Sequence, residues 1–194
     1  MSFRKRKPII IVFHVDDIKV GAPALSDIEY LFKAMISYGL KAKHISDPKL
    51  FLQMNVSYNQ EKGIFTLGQE TYINSIVTNI RKGLSLGRDV KTPMETAFKV
   101  EQLSSERLQP ENSYRKHIGE LTYVVSQTRP DAACAVNMLA QASQDPRKCH
   151  RKAALRVYSY LDNTKHYRLT FGNITNKNLE AFIDVSHAPE KQHS

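Results

Sequence analysis

Near its N-terminus the chain contains the sequence Ile9-Ile10-Ile11-Val12-Phe13-His14-Val15-Asp16-Asp17-Ile18-Lys19-Val20-Gly21. β-Branched and aromatic residues dominate both halves of this stretch, and such residues favour β-strands. Asp16 and Asp17 interrupt the apolar pattern, and Gly21 and Pro23 end the second half. The pattern therefore predicts two short strands joined by a tight turn, with the two aspartates at its tip.

Two adjacent carboxylates at the end of an apolar strand are the candidate functional group. They repel each other unless a cation lies between them. Mg²⁺ prefers oxygen ligands, and proteins usually hold it with one or two carboxylates together with substrate phosphates. Asp16 and Asp17 are therefore candidate metal ligands and half of a phosphoryl-transfer site. The alternative is an ordinary turn in which the aspartates only accept backbone hydrogen bonds.

The rest of the N-terminal half alternates between helical and extended patterns. Apolar residues at helical spacing predict a helix over 27–38, preceded by Ser26 and Glu29 at the spacing of a capping box. Alternation on either side of the turn residues 59–63 predicts a hairpin over 50–67. A second amphipathic helix is predicted over 72–80.

Residues 83–112 contain several glycines and prolines and little periodicity, which predicts a linker and a candidate domain boundary. Beyond it, apolar periodicity predicts three helices, over 114–125, 132–139 and 154–161, with Pro130 and Pro146 near helix starts. Two short strands, over 167–171 and 179–184, are expected to follow.

The chain carries 28 Lys and Arg against 19 Asp and Glu, a net charge of +9. This balance favours a polyanionic partner, nucleic acid first, over a metabolic enzyme of small molecules. Four basic residues fall on one side of a predicted helix and are candidate nucleic-acid-binding residues: Arg147, Lys148, Arg151 and Lys152. The alternative is an ordinary solvated helix surface.

Other site classes find little support in the sequence. The two cysteines, Cys134 and Cys149, lack the paired spacing of a disulfide scaffold or a zinc site. The apolar run over 9–13 is too short for a secretory core or a membrane span, so we expect no membrane partner.

Several blocks of the chain resemble a known family. Residues 12–21 resemble the palm hairpin of reverse transcriptases, and residues 50–56 resemble the palm–thumb strand of copia-type LTR retrotransposon polymerases. The similarity continues in the same order through further blocks: 64–76, 91–94, 114–123, 128–131, 155–161 and 164–165. The chain thus resembles the C-terminal half of the reverse-transcriptase region of a copia-type Pol polyprotein.

This resemblance implies an α+β fold made of a partial palm over 1–82, a linker over 83–112, a helical thumb and connection over 113–165, and the start of a ribonuclease H domain over 166–194. Asp16 and Asp17 match the catalytic aspartates of an RNA-directed DNA polymerase and would hold Mg²⁺. Asp184 matches the first ribonuclease H carboxylate. The partner would be an RNA or DNA template–primer duplex, met in the cytoplasm, in a virus-like particle or in the nucleus.

The sequence also departs from the family. None of the fifteen residues before Asp16 is acidic, whereas a two-metal polymerase site needs a further palm carboxylate. His14 replaces an aromatic residue, Gln53 replaces a glycine, and the chain ends ten residues after Asp184.

We therefore expect a truncated Pol fragment that is inactive alone. We also expect poor solubility, because the strand over 9–13 would present an open apolar edge. The alternatives are a non-catalytic nucleic-acid-binding module and a polymerase that is active only with an intact Pol partner in trans.

Overall fold

The computed structural model describes residues 8–45, 49–100, 105–109 and 113–172, so Asp184 and the strand predicted over 179–184 lie outside the described residues. Helices and strands both contribute, in agreement with the predicted α+β class. In chain order the elements are β1 (Ile10–His14), β2 (Asp17–Gly21), α1 (Leu25–Ser37), β3 (Leu50–Phe51), β4 (Met54–Asn59), β5 (Ile64–Gly68), α2 (Glu70–Arg81), α3 (Tyr114–Gln127), α4 (Ala133–Gln141), α5 (Lys148–Asn163) and β6 (Leu169–Phe171).

The strands form two antiparallel sheets. β1 and β2 make a two-stranded sheet, and the other strands make a four-stranded sheet in the order β3-β4-β5-β6. The predicted hairpins over 9–21 and 50–67 are both confirmed. The predicted strand over 167–171 is confirmed as β6, which pairs with β5 through Leu67 opposite Leu169. Residues 169–171 therefore share a sheet with residues 50–68.

Four helices, α2 to α5, pack around one apolar core. The apolar face predicted for α2 lies against this core, since its buried residues are Ile73, Ile76, Val77 and Ile80. The three helices predicted in the C-terminal half are confirmed, and a short 3₁₀ turn over Pro130–Ala132 leads into α4. The irregular segment 84–98, predicted as part of a linker, covers this core with apolar side chains, namely Leu84, Leu86, Val90, Met94 and Phe98.

The N-terminal elements contribute no buried residue to the core. α1 forms where the periodicity predicts it, but the capping-box prediction was wrong: Ala24 is the N-cap residue and no side chain caps this helix. All five residues of β1 are exposed, and Phe13 keeps 70% of its surface accessible. None of the helices in the described part of the chain combines the length and the hydrophobicity of a membrane span.

Candidate catalytic hairpin and nucleic-acid interface

The backbone at the tip of the β1–β2 hairpin is strained at Val15. His14 pairs with Asp17, so Val15 and Asp16 alone form the turn between β1 and β2. Val15 has a φ of +50° and is 88% exposed. Two-residue hairpin loops require positive φ because of the strand twist, but a β-branched residue rarely adopts it. Strained backbone conformations of this kind cluster at functional sites, where contacts with the surrounding structure offset their free-energy cost.

The two carboxylates at this tip are both accessible. Asp16 lies in the turn, Asp17 is the first residue of β2, and both are exposed. Their oxygen donors suit Mg²⁺, which keeps several water ligands. Among the described residues, however, no group of three or more His, Cys, Asp or Glu side chains could hold a metal ion. Coordination of Mg²⁺ by Asp16 and Asp17 therefore stays a prediction, in which water and phosphate oxygens would supply the other ligands.

A lysine connects this hairpin to the four-stranded sheet. The Lys19 Nζ atom lies 5.4 Å from the ring centroid of Phe51 and 5.0 Å from that of Phe65. Burial lowers the pKa of Lys19. An ammonium over two aromatic faces is attracted by the negative charge of each face. Sequence reasoning missed this contact, because the strand pattern of β2 gives no indication of which rings lie opposite Lys19.

The four basic residues predicted to share one helix side do not form one free face. Arg147 precedes α5 as its N-cap residue and its side chain is only 13% exposed. It donates hydrogen bonds to the Ser105 carbonyl at 2.7 Å and to Asp145 Oδ2 at 3.1 Å. This departure from the predicted pattern arises because the chain before α5 turns Arg147 toward the segment 105–109.

The other three members of the basic group differ in accessibility. Lys148 is exposed and pairs with Glu106 at 2.5 Å. Arg151 is half-buried, and Lys152 is exposed on the first turns of α5. Lys148 and Lys152 are four residues apart and therefore share a helix face. Binding of nucleic acid by this group stays a prediction, with Lys148 and Lys152 as its accessible part.

A buried arginine, missed by the sequence reasoning, joins α5 to the turn before α4. Arg129 is 1% exposed and contacts Asp131 through two hydrogen bonds of 2.9 and 2.7 Å. It also donates to the Thr164 carbonyl and hydroxyl, and it lies over the rings of Tyr160 and Tyr167. Burial alone would raise the pKa of Asp131, but hydrogen bonds from Arg129 and Tyr160 lower it below its ordinary value. The block 128–131 thus has a structural role.

Sequence comparison finds relatives among transposon proteins. The chain is 25% identical over 180 residues to the transposon Ty5-1 protein of Saccharomyces cerevisiae, covering 93% of this chain and 57% of that protein. It is 28% identical over 185 residues to the retrovirus-related Pol polyprotein from transposon RE2 of Arabidopsis thaliana, covering 95% of this chain and 12% of the polyprotein. For the Pol polyprotein from transposon TNT 1-94 of Nicotiana tabacum the identity is 25% over 192 residues, which is 96% of this chain and 14% of the relative.

The chain therefore spans about half of the yeast protein and a small part of each plant polyprotein. No protein-family model and no solved structure matches it.

Proposed function

We propose that this chain, a homologue of retrovirus-related Pol polyproteins from copia-type transposons, is a reverse-transcriptase segment. It would hold template–primer nucleic acid but would not extend the primer by itself. The observation that carries the proposal is the exposed Asp16-Asp17 pair at a strained two-residue hairpin tip. In this reading the elements up to α2 derive from the palm and those from α3 to α5 from the thumb and connection.

Asp16 and Asp17 would hold Mg²⁺ in this segment. The ion, when bound, would neutralise charge that develops on a transferring phosphoryl group. Phosphoryl transfer by two metals also needs ligands that fix both ions in line with the reacting atoms. The fifteen residues before Asp16 include no carboxylate, and the described residues offer no third ligand. We therefore expect these 194 residues, taken alone, to be inactive as a polymerase.

Nucleic-acid binding would rest on the accessible lysines of α5. Lys152 is exposed, and the Lys148 side chain forms a surface ion pair with Glu106. Exposed ion pairs contribute little to stability, so a phosphate can replace the Glu106 carboxylate at small cost. Binding through such contacts weakens steeply as salt rises, because counterions are released from the nucleic acid. The compartment would be the cytoplasm or the nucleus, and Asp184 keeps its predicted role as a ribonuclease H carboxylate.

A primer-extension assay with the purified chain tests this proposal. The template is RNA, the primer is DNA, and Mg²⁺ and nucleotides are present. We expect duplex binding that weakens with salt and no extension by wild type, Asp16→Asn or Asp17→Asn. Asp27→Asn in the first turn of α1 is a matched control outside the hairpin. Extension by the wild type that either hairpin variant abolishes would overturn the proposed inactivity, and salt-independent binding would overturn the phosphate contacts.

The N-terminal surface favours a second candidate, a polymerase completed in trans. Every residue of β1 is exposed and α1 buries no residue, although both carry apolar side chains. A partner that supplies palm strands would cover these side chains and could bring the further carboxylate. Adding an intact Pol protein with its own hairpin acids neutralised would test this candidate. Restored synthesis that depends on Asp17 of this chain would support it, and no synthesis would contradict it.

A further inference from the structure

A half-open groove of about 550 Å³ lies between the segment 85–98 and α5. Its walls are mostly apolar and include Val90, Met94 and Phe98 from the segment and Leu155 from α5. The charged groups along it are Glu95, Lys152 and Arg156. Pockets for small organic ligands have volumes of about 300–1,000 Å³ and combine apolar walls with a few polar groups.

Arg156 uses only part of its five N–H donors at one end of this groove. Its Nη1 atom lies 3.3 Å from Glu95 Oε1, and its Nη2 atom donates to Thr92 Oγ1 at 3.0 Å. The Nε atom is buried and has no hydrogen-bond partner among the described residues. The Arg156 side chain as a whole is 28% exposed, and each Nη atom carries a second N–H. A ligand that brings an acceptor atom to this end of the groove can therefore bind the remaining Nη donors.

The two ends of the groove differ in net charge, since Lys152 lies at one end and the Arg156–Glu95 pair at the other. Lys152 is exposed, and the described residues show no ion pair for it. It lies one helical turn before Arg156, so both side chains fall on the same face of α5. Glu95 already accompanies Arg156, and its carboxylate disfavours a second anion at that end. A fitting ligand therefore carries negative charge near Lys152 and a neutral, acceptor-rich group near Arg156.

A nucleotide has this division of charge. We propose that the groove binds one unpaired nucleobase of a nucleic-acid strand whose phosphates lie along the Lys152 side of α5. The ring would lie against Met94 and Phe98, and its acceptor atoms would face the Arg156 end. This inference rests on the proposed function, since α5 would then hold the duplex while the groove takes a base of its single-stranded overhang. Stacking of a base on protein side chains is sequence-tolerant.

Alkylation of the two cysteines of the chain can show whether the groove is occupied. Cys149 lines the groove, whereas Cys134 is exposed on α4 and does not line it. Alkylation of each cysteine by iodoacetamide can be followed by mass spectrometry with a blunt RNA–DNA duplex or with the same duplex carrying a short overhang. We expect the overhang to slow alkylation of Cys149 alone. We also expect it to raise affinity roughly tenfold, which corresponds to one stacked base.

A groove-filling substitution gives the matched test. Ala97 lines the groove and Thr96 does not, and both are exposed. Ala97→Trp should abolish the preference for the overhang and leave blunt-duplex affinity unchanged, whereas Thr96→Trp should keep both. Circular dichroism checks that both variants fold.

The outcomes separate this inference from the function on which it rests. Blunt-duplex binding without overhang preference, or equal protection of Cys149 by both duplexes, would overturn the groove assignment and leave the proposed function intact. Failure of the wild type to bind either duplex would overturn both.

Discussion

Replacing Arg129 with methionine should strongly destabilise the protein, because the guanidinium joins three parts of the chain. Its hydrogen bonds reach Asp131 and Thr164, and its Cζ atom lies 5.3 and 5.2 Å from the ring centroids of Tyr160 and Tyr167. Methionine fills similar space but makes none of these polar contacts.

The size of the effect follows from burial. Breaking a fully buried ion pair by removing one partner costs about 3–5 kcal/mol. Asp131 remains 37% exposed in its side chain, so water can replace part of the lost contact. We therefore expect a loss of about 3 kcal/mol, at the lower end of that range. For a chain of this length the corresponding fall in Tm is about 6–12 °C.

Thermal unfolding followed by circular dichroism measures this loss. Arg129→Lys keeps the charge but not the planar fork or the stacking, so it should cost most of the same stability. Arg115→Met is the control, because Arg115 is exposed and, within the described part of the chain, its side chain donates one hydrogen bond, to the Ser143 carbonyl. A Tm for Arg129→Met that equals that of the Arg115 variant would refute the structural role of this arginine.

Three further predictions concern the turn, the interior and the surface. Gln53 has a φ of +59°, so Gln53→Gly should stabilise the protein by about 1 kcal/mol in urea unfolding, and Gln53→Ala should not; equal effects would contradict the strain. Burial lowers the pKa of His117 below 6.5, so its contribution to stability is complete above pH 6.5 and falls as the pH drops toward the folded-state pKa. His117→Gln should flatten the dependence of unfolding free energy on pH in that window, and an unchanged profile would exclude this cause. Lys152→Gln should reduce the slope of log affinity for the duplex against log salt by about one unit and leave Tm unchanged. Arg147→Gln should lower Tm and leave that slope unchanged, and the reverse pattern would contradict the assignment of accessible charges.

The elements with regular periodicity could be predicted from the sequence. The apolar spacing of α2 identifies both its helical structure and its buried residues, and alternation identifies β4 and β5. α1 also forms as predicted, but its apolar residues stay exposed, because periodicity indicates a face and not the surface that covers it. The segment 84–98 lacks periodicity, so its packing on the core could not be predicted from any local pattern.

In the candidate sites, too, the sequence predicts contacts between neighbouring residues but not contacts between residues far apart in the chain. The acidic hairpin could be predicted because its strands and turn are neighbours in the sequence. Arg147 was predicted to bind nucleic acid from a basic helix face, yet it contacts Ser105, and Arg129 contacts Thr164. Both partners lie far along the chain, so residue type and spacing alone could not identify them.

We propose that the Asp16-Asp17 hairpin supplies only part of a two-metal site. The decisive measurement is the number of Mn²⁺ ions bound per chain, counted by electron paramagnetic resonance with template–primer present. Subtracting the count for template–primer alone removes the ions that the nucleic acid itself binds. We expect one protein-dependent ion that disappears in Asp17→Asn; two such ions, or one that survives in Asp17→Asn, would contradict the proposal.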